Sequence, residues 1–448
     1  MTHTVSSYVA GAWVTPTEAG TPILDASTGA VVATASSSGV DFAELVRYAR
    51  EVGGPALRAM TFQQRGLALK NLAKYLKSRA DEVYADYGAS GATVPDSRVD
   101  VEGGIGVLFV YASKALKELP NDIVIIEGSP EDITEKHQGQ VMYTSPDGIA
   151  VFINAYNFPV WGMLEKLATC VIAGVPVIVK PATPTAQLAE ISFRHIVESG
   201  ILPAGAVQFI GGSVSEALDH LGGQDHILFT GSAGTAAKLR TLPAVVERGA
   251  KFTAEADSLN ATILGPDAGV DSEEFSAFVK AIFREMTSKS GQKCTCIRRV
   301  FVPQGMVEPT VAGLKARLAK VVVGDPRVEG TTMGPLVNAS QRDDVAAAVR
   351  LLMKGADVVV GGPDIVPTIA SGDVERGGFF PPTVLVANDT RSSQLHEVEA
   401  FGPVVTVLPY ADDDDLVSMV ALGEGSLVAS VASHDAEWVR SLLIRIAP

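Results

Sequence analysis

The feature that most constrains the fold is an alternation of short apolar runs with helical stretches between residues 149 and 240. The apolar runs are rich in Val, Ile and Phe, and they occupy residues 149–153, 175–179, 207–210 and 227–229. Strands that are apolar throughout and separated by helices are typical of a parallel sheet covered on both faces. The sequence therefore predicts an α/β fold built on a doubly wound parallel sheet.

Polar residues follow three of these predicted strands, at the edge of the sheet where ligands usually bind. Asn157 follows the first strand, Lys180 the second, and Gly231 with Ser232 the fourth. Ligands of open α/β sheets bind outside the carboxyl ends of the strands, so these side chains predict a binding site there. The Gly-x-Gly-x-x-Gly fingerprint of ordinary dinucleotide-binding folds is absent.

Composition limits the range of functions. The 448 residues are 47% hydrophobic and carry a net charge of −15 without a basic cluster, which argues against nucleic acid or an anionic membrane as partner. Apolar stretches are interrupted within about a dozen residues, short of the ~20 needed to span a bilayer. Three cysteines cannot form a disulfide framework, and the first residues do not resemble a signal peptide, so we expect a cytoplasmic protein.

One loop combines a thiol with polar and basic neighbours. An amphipathic pattern over residues 275–286 predicts a helix, and Cys294 follows it in an irregular segment beside Lys293 and Arg299. Nearby donors or positive charge lower the pKa of a thiol and make it a nucleophile. The alternative is a buried structural cysteine, and Cys296 is the second candidate nucleophile. A Cys-x-Cys pair without further ligands predicts no metal site.

This loop resembles the nucleophile loop of the aldehyde dehydrogenase superfamily, in which Gly-Gln-x-Cys is followed by an arginine five residues after the cysteine. The matching residues are Gly291, Gln292, Cys294 and Arg299. Further matches cover almost the whole chain: Asn-Phe-Pro at 157–159, Lys-Pro at 180–181, Phe-Thr-Gly-Ser at 229–232 and Glu-x-Phe-Gly-Pro at 399–403.

The resemblance implies two doubly wound parallel-sheet domains plus a small β-segment used for oligomerisation. We expect a cofactor-binding domain from residues 1–121 and 144–254, and a catalytic domain from residues 255–448. Residues 122–143 are expected to form two strands outside the main sheet. In the family such a segment helps to build the subunit interface, so the protein is expected to be a homodimer.

The resemblance also implies catalytic roles. Cys294 is the expected nucleophile, the Asn157 amide an oxyanion donor, and Glu255 the general base that activates water. Lys166 matches a family lysine near the active site. Local sequence alone leaves other interpretations open: a turn or helix-cap asparagine, a snorkelling surface lysine and a solvated carboxylate at the end of a strand.

The expected cofactor contacts lie on both sides of the nucleophile in sequence. Lys180 is expected at the adenosine ribose, Gly231 and Ser232 at the pyrophosphate, Glu399 at the nicotinamide ribose and Phe401 near the nicotinamide. Ala236 replaces the usual glycine of the pyrophosphate turn.

Thr183 bears on the choice of cofactor. It stands where members of the family that favour NAD carry a glutamate. A carboxylate would repel a 2′-phosphate, so Thr183 beside Lys180 favours NADP, with NAD also possible.

Three segments resemble one branch of the family: residues 155–161, 255–260 and 291–295. That branch oxidises coenzyme-A-linked semialdehydes from aromatic ring opening in benzoate and phenylacetate breakdown. The implied reaction converts 3,4-dehydroadipyl-CoA semialdehyde to the carboxylic acid through a thiohemiacetal and a thioester on the enzyme. Alternatives are a coenzyme-A-acylating dehydrogenase, an enzyme resembling glutamyl phosphate reductase and a catalytically silent member of the fold. Retention of Glu255 favours release of the acyl group to water.

The sequence stops before the usual end of the family. Members normally continue for several dozen residues beyond the position of Pro448, so we expect a truncated or incompletely recorded chain. If Pro448 is the physical end, an exposed apolar edge and a weakened subunit interface should follow.

Overall fold

A computed structural model describes residues 2–447. The predicted domains begin at Met1 and end at Pro448, and these two residues lie outside the described ones. The chain forms two compact units. The first contains residues 1–23, 31–87 and 97–256, and the second contains residues 24–30, 88–96 and 257–448.

The strands of the first unit belong to three sheets. In chain order they are β1 (His3–Val5), β2 (Ser7–Val9), β3 (Ala12–Val14), β4 (Thr21–Leu24), β5 (Val31–Ala35), β6 (Val124–Thr134), β7 (His137–Thr144), β8 (Ala150–Ile153), β9 (Val177–Lys180), β10 (Val207–Phe209), β11 (His226–Thr230) and β12 (Lys251–Glu255). β4 reaches the unit boundary at Leu24.

Helices separate the strands. They are α1 (Phe42–Tyr48), α2 (Gly54–Arg58), α3 (Phe62–Ser78), α4 (Ala80–Tyr84), α5 (Val94–Glu118), α6 (Trp161–Ala173), α7 (Ala186–Glu198), α8 (Ser215–Leu218), α9 (Ala233–Arg240) and α10 (Pro243–Val246). Thr61 caps α3 in a capping box with Gln64, which fixes where that helix begins.

The main sheet of the first unit has seven strands in the order β12-β11-β8-β9-β10-β2-β3. The first five are parallel, and the hairpin β2-β3 is added antiparallel to β10. All four predicted apolar runs form strands of this sheet, which confirms the βαβ interpretation. Their side chains are buried because both faces are covered, as in Val151, Phe152, Ile178 and Phe209. A second, three-stranded sheet has the order β1-β5-β4.

A separate hairpin accounts for residues 124–144. Within residues 2–447, β6 and β7 pair only with each other, antiparallel, as expected for strands outside the main sheet. Several of its apolar side chains are exposed: Ile126, Ile133, Val141, Met142 and Tyr143.

The second unit is a smaller α/β arrangement. Its strands are β13 (Ala261–Leu264), β14 (Arg299–Pro303), β15 (Ala356–Val360), β16 (Thr383–Ala387), β17 (Val404–Tyr410) and β18 (Ala429–Ala432). Its helices are α11 (Glu273–Thr287), α12 (Val307–Leu318), α13 (Ala339–Leu352), α14 (Gln394–Glu397), α15 (Asp413–Ala421) and α16 (Ala436–Ile446).

These strands form one six-stranded sheet in the order β15-β16-β17-β14-β13-β18, parallel except for β15. Its two faces carry separate apolar clusters, one around Ile263, Phe301 and Leu385 and the other around Val300, Val302 and Val405. Two parallel sheets flanked by helices confirm the predicted fold class. Among residues 2–447, no helix has both the length and the apolar character needed to cross a bilayer.

Candidate active site

The predicted site residues fall into two groups, and each is described within its own unit. The first unit contains Asn157, Lys166, Lys180, Thr183, Gly231, Ser232 and Glu255, and the second contains Cys294, Cys296, Glu399 and Phe401.

The backbone before Cys294 has an unusual conformation. After α11 the chain passes through Lys289, Ser290 and Gly291 with φ of 50°, 53° and 71°. Left-handed backbone costs roughly 1–2 kcal/mol for a residue with a Cβ, so the loop is strained at its first two positions. Gly291 has no such cost, and a Cβ there would overlap the carbonyl oxygen of Gly402. The glycine of the motif is therefore required by a close backbone approach.

Hydrogen bonds hold the start of this loop. Asp96 Oδ1 accepts from the Lys289 N–H at 2.9 Å and from Ser288 Oγ at 3.0 Å. Gln292 accepts from the Val337 N–H at 3.1 Å and donates from Nε2 to the Lys289 carbonyl at 3.0 Å. The glutamine of the motif thus braces the strained turn.

Asn260 holds the loop at the thiol itself. This fully buried side chain donates from Nδ2 to the carbonyl oxygens of Cys294 and Cys296 at 2.8 and 2.9 Å. Its Oδ1 accepts from the Val428 N–H at 3.0 Å and from Ser258 Oγ at 2.8 Å. The two donated hydrogen bonds fix the backbone on both sides of Thr295, and the two accepted ones hold the amide itself in place.

The three cysteines differ in exposure. Cys294 is partly exposed, whereas Cys170 and Cys296 are buried. Burial raises the pKa of Cys170 to about 12 and also raises the pKa of Cys296, whose Sγ donates to the Glu285 carbonyl at 3.0 Å. Buried thiols of raised pKa are poor nucleophiles, so the geometry supports Cys294 over Cys296.

The basic residues beside Cys294 are committed to other partners. Lys293 Nζ lies 2.8 Å from Glu285 Oε1. The buried Arg299 guanidinium donates to backbone carbonyls, Leu259 among them, and to His396 Nδ1, and burial lowers its pKa to about 10. Arg299 therefore has a structural role in binding these groups together.

Arg298, which the sequence analysis did not single out, contacts both predicted nicotinamide residues. Its Nε donates to Glu399 Oε1 at 3.1 Å, and its guanidinium carbon lies 5.3 Å from the Phe401 ring centroid. Glu399 Oε2 accepts from the Ser258 N–H at 3.1 Å. Burial, the largest effect, raises the pKa of Glu399 despite the opposing effect of Arg298.

In the first unit, Asn157 lies in the turn between β8 and α6 and is buried. Asp100 caps the helix that follows, since its carboxylate accepts from the Val160 and Trp161 N–H groups at 3.2 and 2.6 Å. Tyr87 donates a short hydrogen bond to the same carboxylate. The buried Asp100 thus fixes the backbone directly after the Asn-Phe-Pro turn.

Lys166 lies one turn into the same helix. Its side chain is only 13% exposed, and Nζ donates to the Gly162 carbonyl and to Glu165 Oε1, both at 3.2 Å. The Lys166 side chain is therefore mostly buried, and two oxygen atoms of its own helix accept from its ammonium group.

Lys180 ends β9 at the carboxyl edge of the sheet. Burial lowers the pKa of its ammonium group, and no carboxylate in residues 2–447 opposes this effect by forming an ion pair with it. Thr183 follows in a single helical turn, and its neighbour Thr185 donates to the Tyr156 carbonyl at 3.1 Å. A desolvated cation without a carboxylate partner fits an anionic or hydroxyl-bearing ligand group.

The remaining residues meet at the ends of neighbouring strands. Glu255 is the last residue of β12 and pairs in register with Thr230 of β11. The Gly231 N–H donates to the Glu255 carbonyl at 3.1 Å. The glycine turn and the predicted base are therefore joined by the backbone hydrogen bonds that pair β11 with β12. Ser232 caps α9 by accepting from the Thr235 N–H at 3.3 Å.

Comparison with known proteins identifies the class. The model of the aldehyde dehydrogenase family matches residues 13–446, and the chain belongs to that family. It is 42% identical over 449 aligned residues to a 3,4-dehydroadipyl-CoA semialdehyde dehydrogenase of Aromatoleum evansii, covering 99% of this chain and 86% of the relative. The chain is therefore an NAD(P)-dependent aldehyde dehydrogenase, and its predicted resemblance to this branch is confirmed.

The chain is also similar to a more distant relative and to a solved structure. An α-ketoglutaric semialdehyde dehydrogenase of Bacillus subtilis (strain 168) is 26% identical, covering 85% of this chain and 75% of the relative. The crystal structure of a betaine aldehyde dehydrogenase from Staphylococcus aureus in complex with NAD+ has a TM-score of 0.87 at 22% identity, covering 99% of this chain and 85% of that one. At this identity the structural match concerns the fold.

Proposed function

We propose that this enzyme oxidises a coenzyme-A-linked semialdehyde, 3,4-dehydroadipyl-CoA semialdehyde, to its carboxylic acid in the degradation of aromatic compounds. The main support for the proposed chemistry is Cys294, which is partly exposed and lies in a strained loop held by hydrogen bonds. The 42% identical relative, whose name gives this substrate, supports the choice of aldehyde.

Cys294 begins the proposed reaction by attacking the aldehyde carbon. Asn260 and Gln292 support this step because they fix the loop, and a fixed nucleophile lowers the entropic cost of attack. The Asn157 amide and a loop N–H would stabilise the oxyanion of the thiohemiacetal. When bound, the nicotinamide cofactor supplies the hydride acceptor, and a thioester then remains on Cys294.

Glu255 completes the cycle by activating water. Its partly buried position at the end of β12 supports this role, because a carboxylate there can take a proton from water as the thioester is hydrolysed. Lys166 is proposed to act near this site, with its charge balanced by Glu165.

NADP is the proposed cofactor. Lys180 offers a desolvated ammonium group, and Thr183 adds a neutral hydroxyl rather than a carboxylate beside it. Gly231 and Ser232 are proposed to meet the pyrophosphate, and Glu399 and Phe401 the nicotinamide riboside. On these assignments residues 1–121 and 144–254 bind the cofactor and residues 255–448 carry the catalytic thiol.

We also propose a homodimer that uses the hairpin β6-β7. A two-stranded hairpin with exposed Ile126, Ile133 and Met142 is typical of a surface that another protein covers. Light scattering should give the mass of a dimer, and the double substitution Ile133→Ser/Met142→Ser should shift it towards the monomer. A monomer at micromolar concentration would contradict the proposal.

The reaction is tested with the semialdehyde, NADP and no free coenzyme A. We expect stoichiometric reduced cofactor and a product that retains its own coenzyme A thioester while gaining a carboxylate. Glu255→Gln should give a single burst that stalls, because acylation is retained and hydrolysis is lost. Turnover that requires added coenzyme A would instead indicate an acylating dehydrogenase.

A further inference from the structure

Glu399 lies in a buried ion pair. The Arg298 and Glu399 side chains are only 4% and 6% exposed, and they meet at 3.1 Å between Nε and Oε1. The second carboxylate oxygen, Oε2, accepts from the Ser258 N–H. Both oxygens of the carboxylate therefore already have a protein partner.

Arg298 carries this pairing into the nucleophile loop. Its Nη2 donates to the Gly291 carbonyl at 2.9 Å, and its Nη1 donates to the Gly402 carbonyl at 2.9 Å. A Cβ on Gly291 would overlap the Gly402 carbonyl oxygen, so the two backbones approach closely here. The guanidinium thus joins the two loops at their point of closest approach.

Charge explains why the two side chains must act together. A guanidinium only donates, and backbone carbonyls do not neutralise it, so among these contacts Glu399 alone balances the charge of Arg298. Removing either partner leaves a buried charge uncompensated, which the loops can relieve only by moving.

We propose that Glu399 and Arg298 act as one unit that positions the loop carrying Cys294, so that Glu399 serves the nucleophile even without cofactor. The inference rests on the proposed role of Cys294. It gives Glu399 a task that is separate from any contact with the nicotinamide ribose.

Cofactor-free acylation by p-nitrophenyl acetate separates the two tasks. The Cys294 thiolate attacks the ester carbonyl, the sulfur–carbon bond forms and the bond to p-nitrophenolate breaks, with no redox step. The burst of p-nitrophenolate therefore reports how well the thiol is placed, whatever binds at the cofactor site.

We expect Glu399→Gln and Arg298→Met each to slow this burst about tenfold or more, because a misplaced nucleophile loses rate steeply. Glu397→Gln is the matched control, since it removes the same charge from an exposed side chain two positions away. Its burst should equal that of the wild type. A wild-type burst in Glu399→Gln, with a raised KM for NADP, would overturn the proposal.

A double variant distinguishes positioning from stability. Arg298→Met/Glu399→Leu removes both buried charges together, and apolar replacement of such a pair is often neutral for stability. We expect its melting temperature to exceed that of Arg298→Met while its burst stays as slow. A double variant with a wild-type burst would contradict the inference, and a burst that survives Cys294→Ala would instead overturn the proposed nucleophile.

Discussion

Asn260 donates from its side-chain amide to the carbonyl oxygen of Cys294 at 2.8 Å, from a position 34 residues earlier in the chain. The same nitrogen bonds the Cys296 carbonyl, so one buried side chain sets the path of the backbone around the predicted nucleophile.

Replacing Asn260 should therefore affect activity and stability together. Asn260→Asp keeps the shape of the side chain but replaces the donating NH2 group with a carboxylate oxygen. That oxygen would face the carbonyl oxygens of Cys294 and Cys296, which need a donor. We expect kcat to fall roughly 10–100-fold and the free energy of unfolding to fall by about 2–4 kcal/mol. Denaturant melts and NADP reduction measure both, with the exposed Asn388→Asp as control. A wild-type kcat in Asn260→Asp would show that the hydrogen bonds from Asn260 to the nucleophile loop are not needed for activity.

Gly291→Ala tests the close approach of the two loops. The new Cβ would overlap the Gly402 carbonyl oxygen at a φ of 71°. Gly330→Ala is the matched control, because Gly330 has a φ of 90° with open space around the Cβ position. We expect the control to lose roughly 1–2 kcal/mol of stability and keep its activity, whereas Gly291→Ala loses at least tenfold in kcat. Equal behaviour of the two variants would argue against a required contact.

Thr183→Glu tests the proposed preference for NADP. A carboxylate beside Lys180 would pair with its ammonium group and repel a 2′-phosphate, so kcat/KM for NADP should fall at least about tenfold relative to NAD. Thr183→Gln has nearly the same size without the charge and should change the ratio little. A wild-type enzyme that clearly prefers NAD would refute the assignment before any variant is made.

The buried position of His396 predicts that the second unit loses stability at acidic pH. Arg299 can only donate, so His396 Nδ1 accepts from it at 3.1 Å, and the proton sits on Nε2, which donates to the Thr390 carbonyl at 2.9 Å. Burial, the largest cause, lowers the pKa of His396 below 6.5. A depressed folded pKa contributes stability that is present above 6.5 and lost as pH falls below it.

Melting temperatures of the wild type and His396→Asn between pH 7.5 and 5.5 check this expectation. The asparagine oxygen can still accept from Arg299 but does not titrate, so the variant should lose less stability on acidification. The exposed His220→Asn is the control and should follow the wild type. Parallel curves for the wild type and His396→Asn would contradict the prediction.

Local patterns in the sequence were sufficient to predict the main strands of the first unit and the start of one helix. Apolar runs predicted four strands of the first sheet, and Thr61 predicted the start of α3, because strand burial and helix capping depend on neighbours in the chain. Motif spacing likewise located the loop of Cys294.

The supports of the site could not be predicted in this way. Arg298 meets Glu399 across 101 residues, and Asp100 caps a helix that begins 61 residues later. No periodicity in the sequence carries information on such pairings. The sequence also placed Lys293 and Arg299 beside the thiol. Only the fold shows that Lys293 forms an ion pair with Glu285 and that Arg299 donates to His396.

The central claim, a thioester on Cys294, is tested most directly by trapping it. Glu255→Gln is mixed with the semialdehyde and NADP, quenched in acid and digested with trypsin, which cuts after Lys293 and Arg298 to release a short peptide containing both Cys294 and Cys296. Fragmentation of that peptide locates the added mass. We predict the acyl group on Cys294 in an amount equal to the burst of reduced cofactor. An acyl group on Cys296, or a burst with no adduct, would contradict the mechanism.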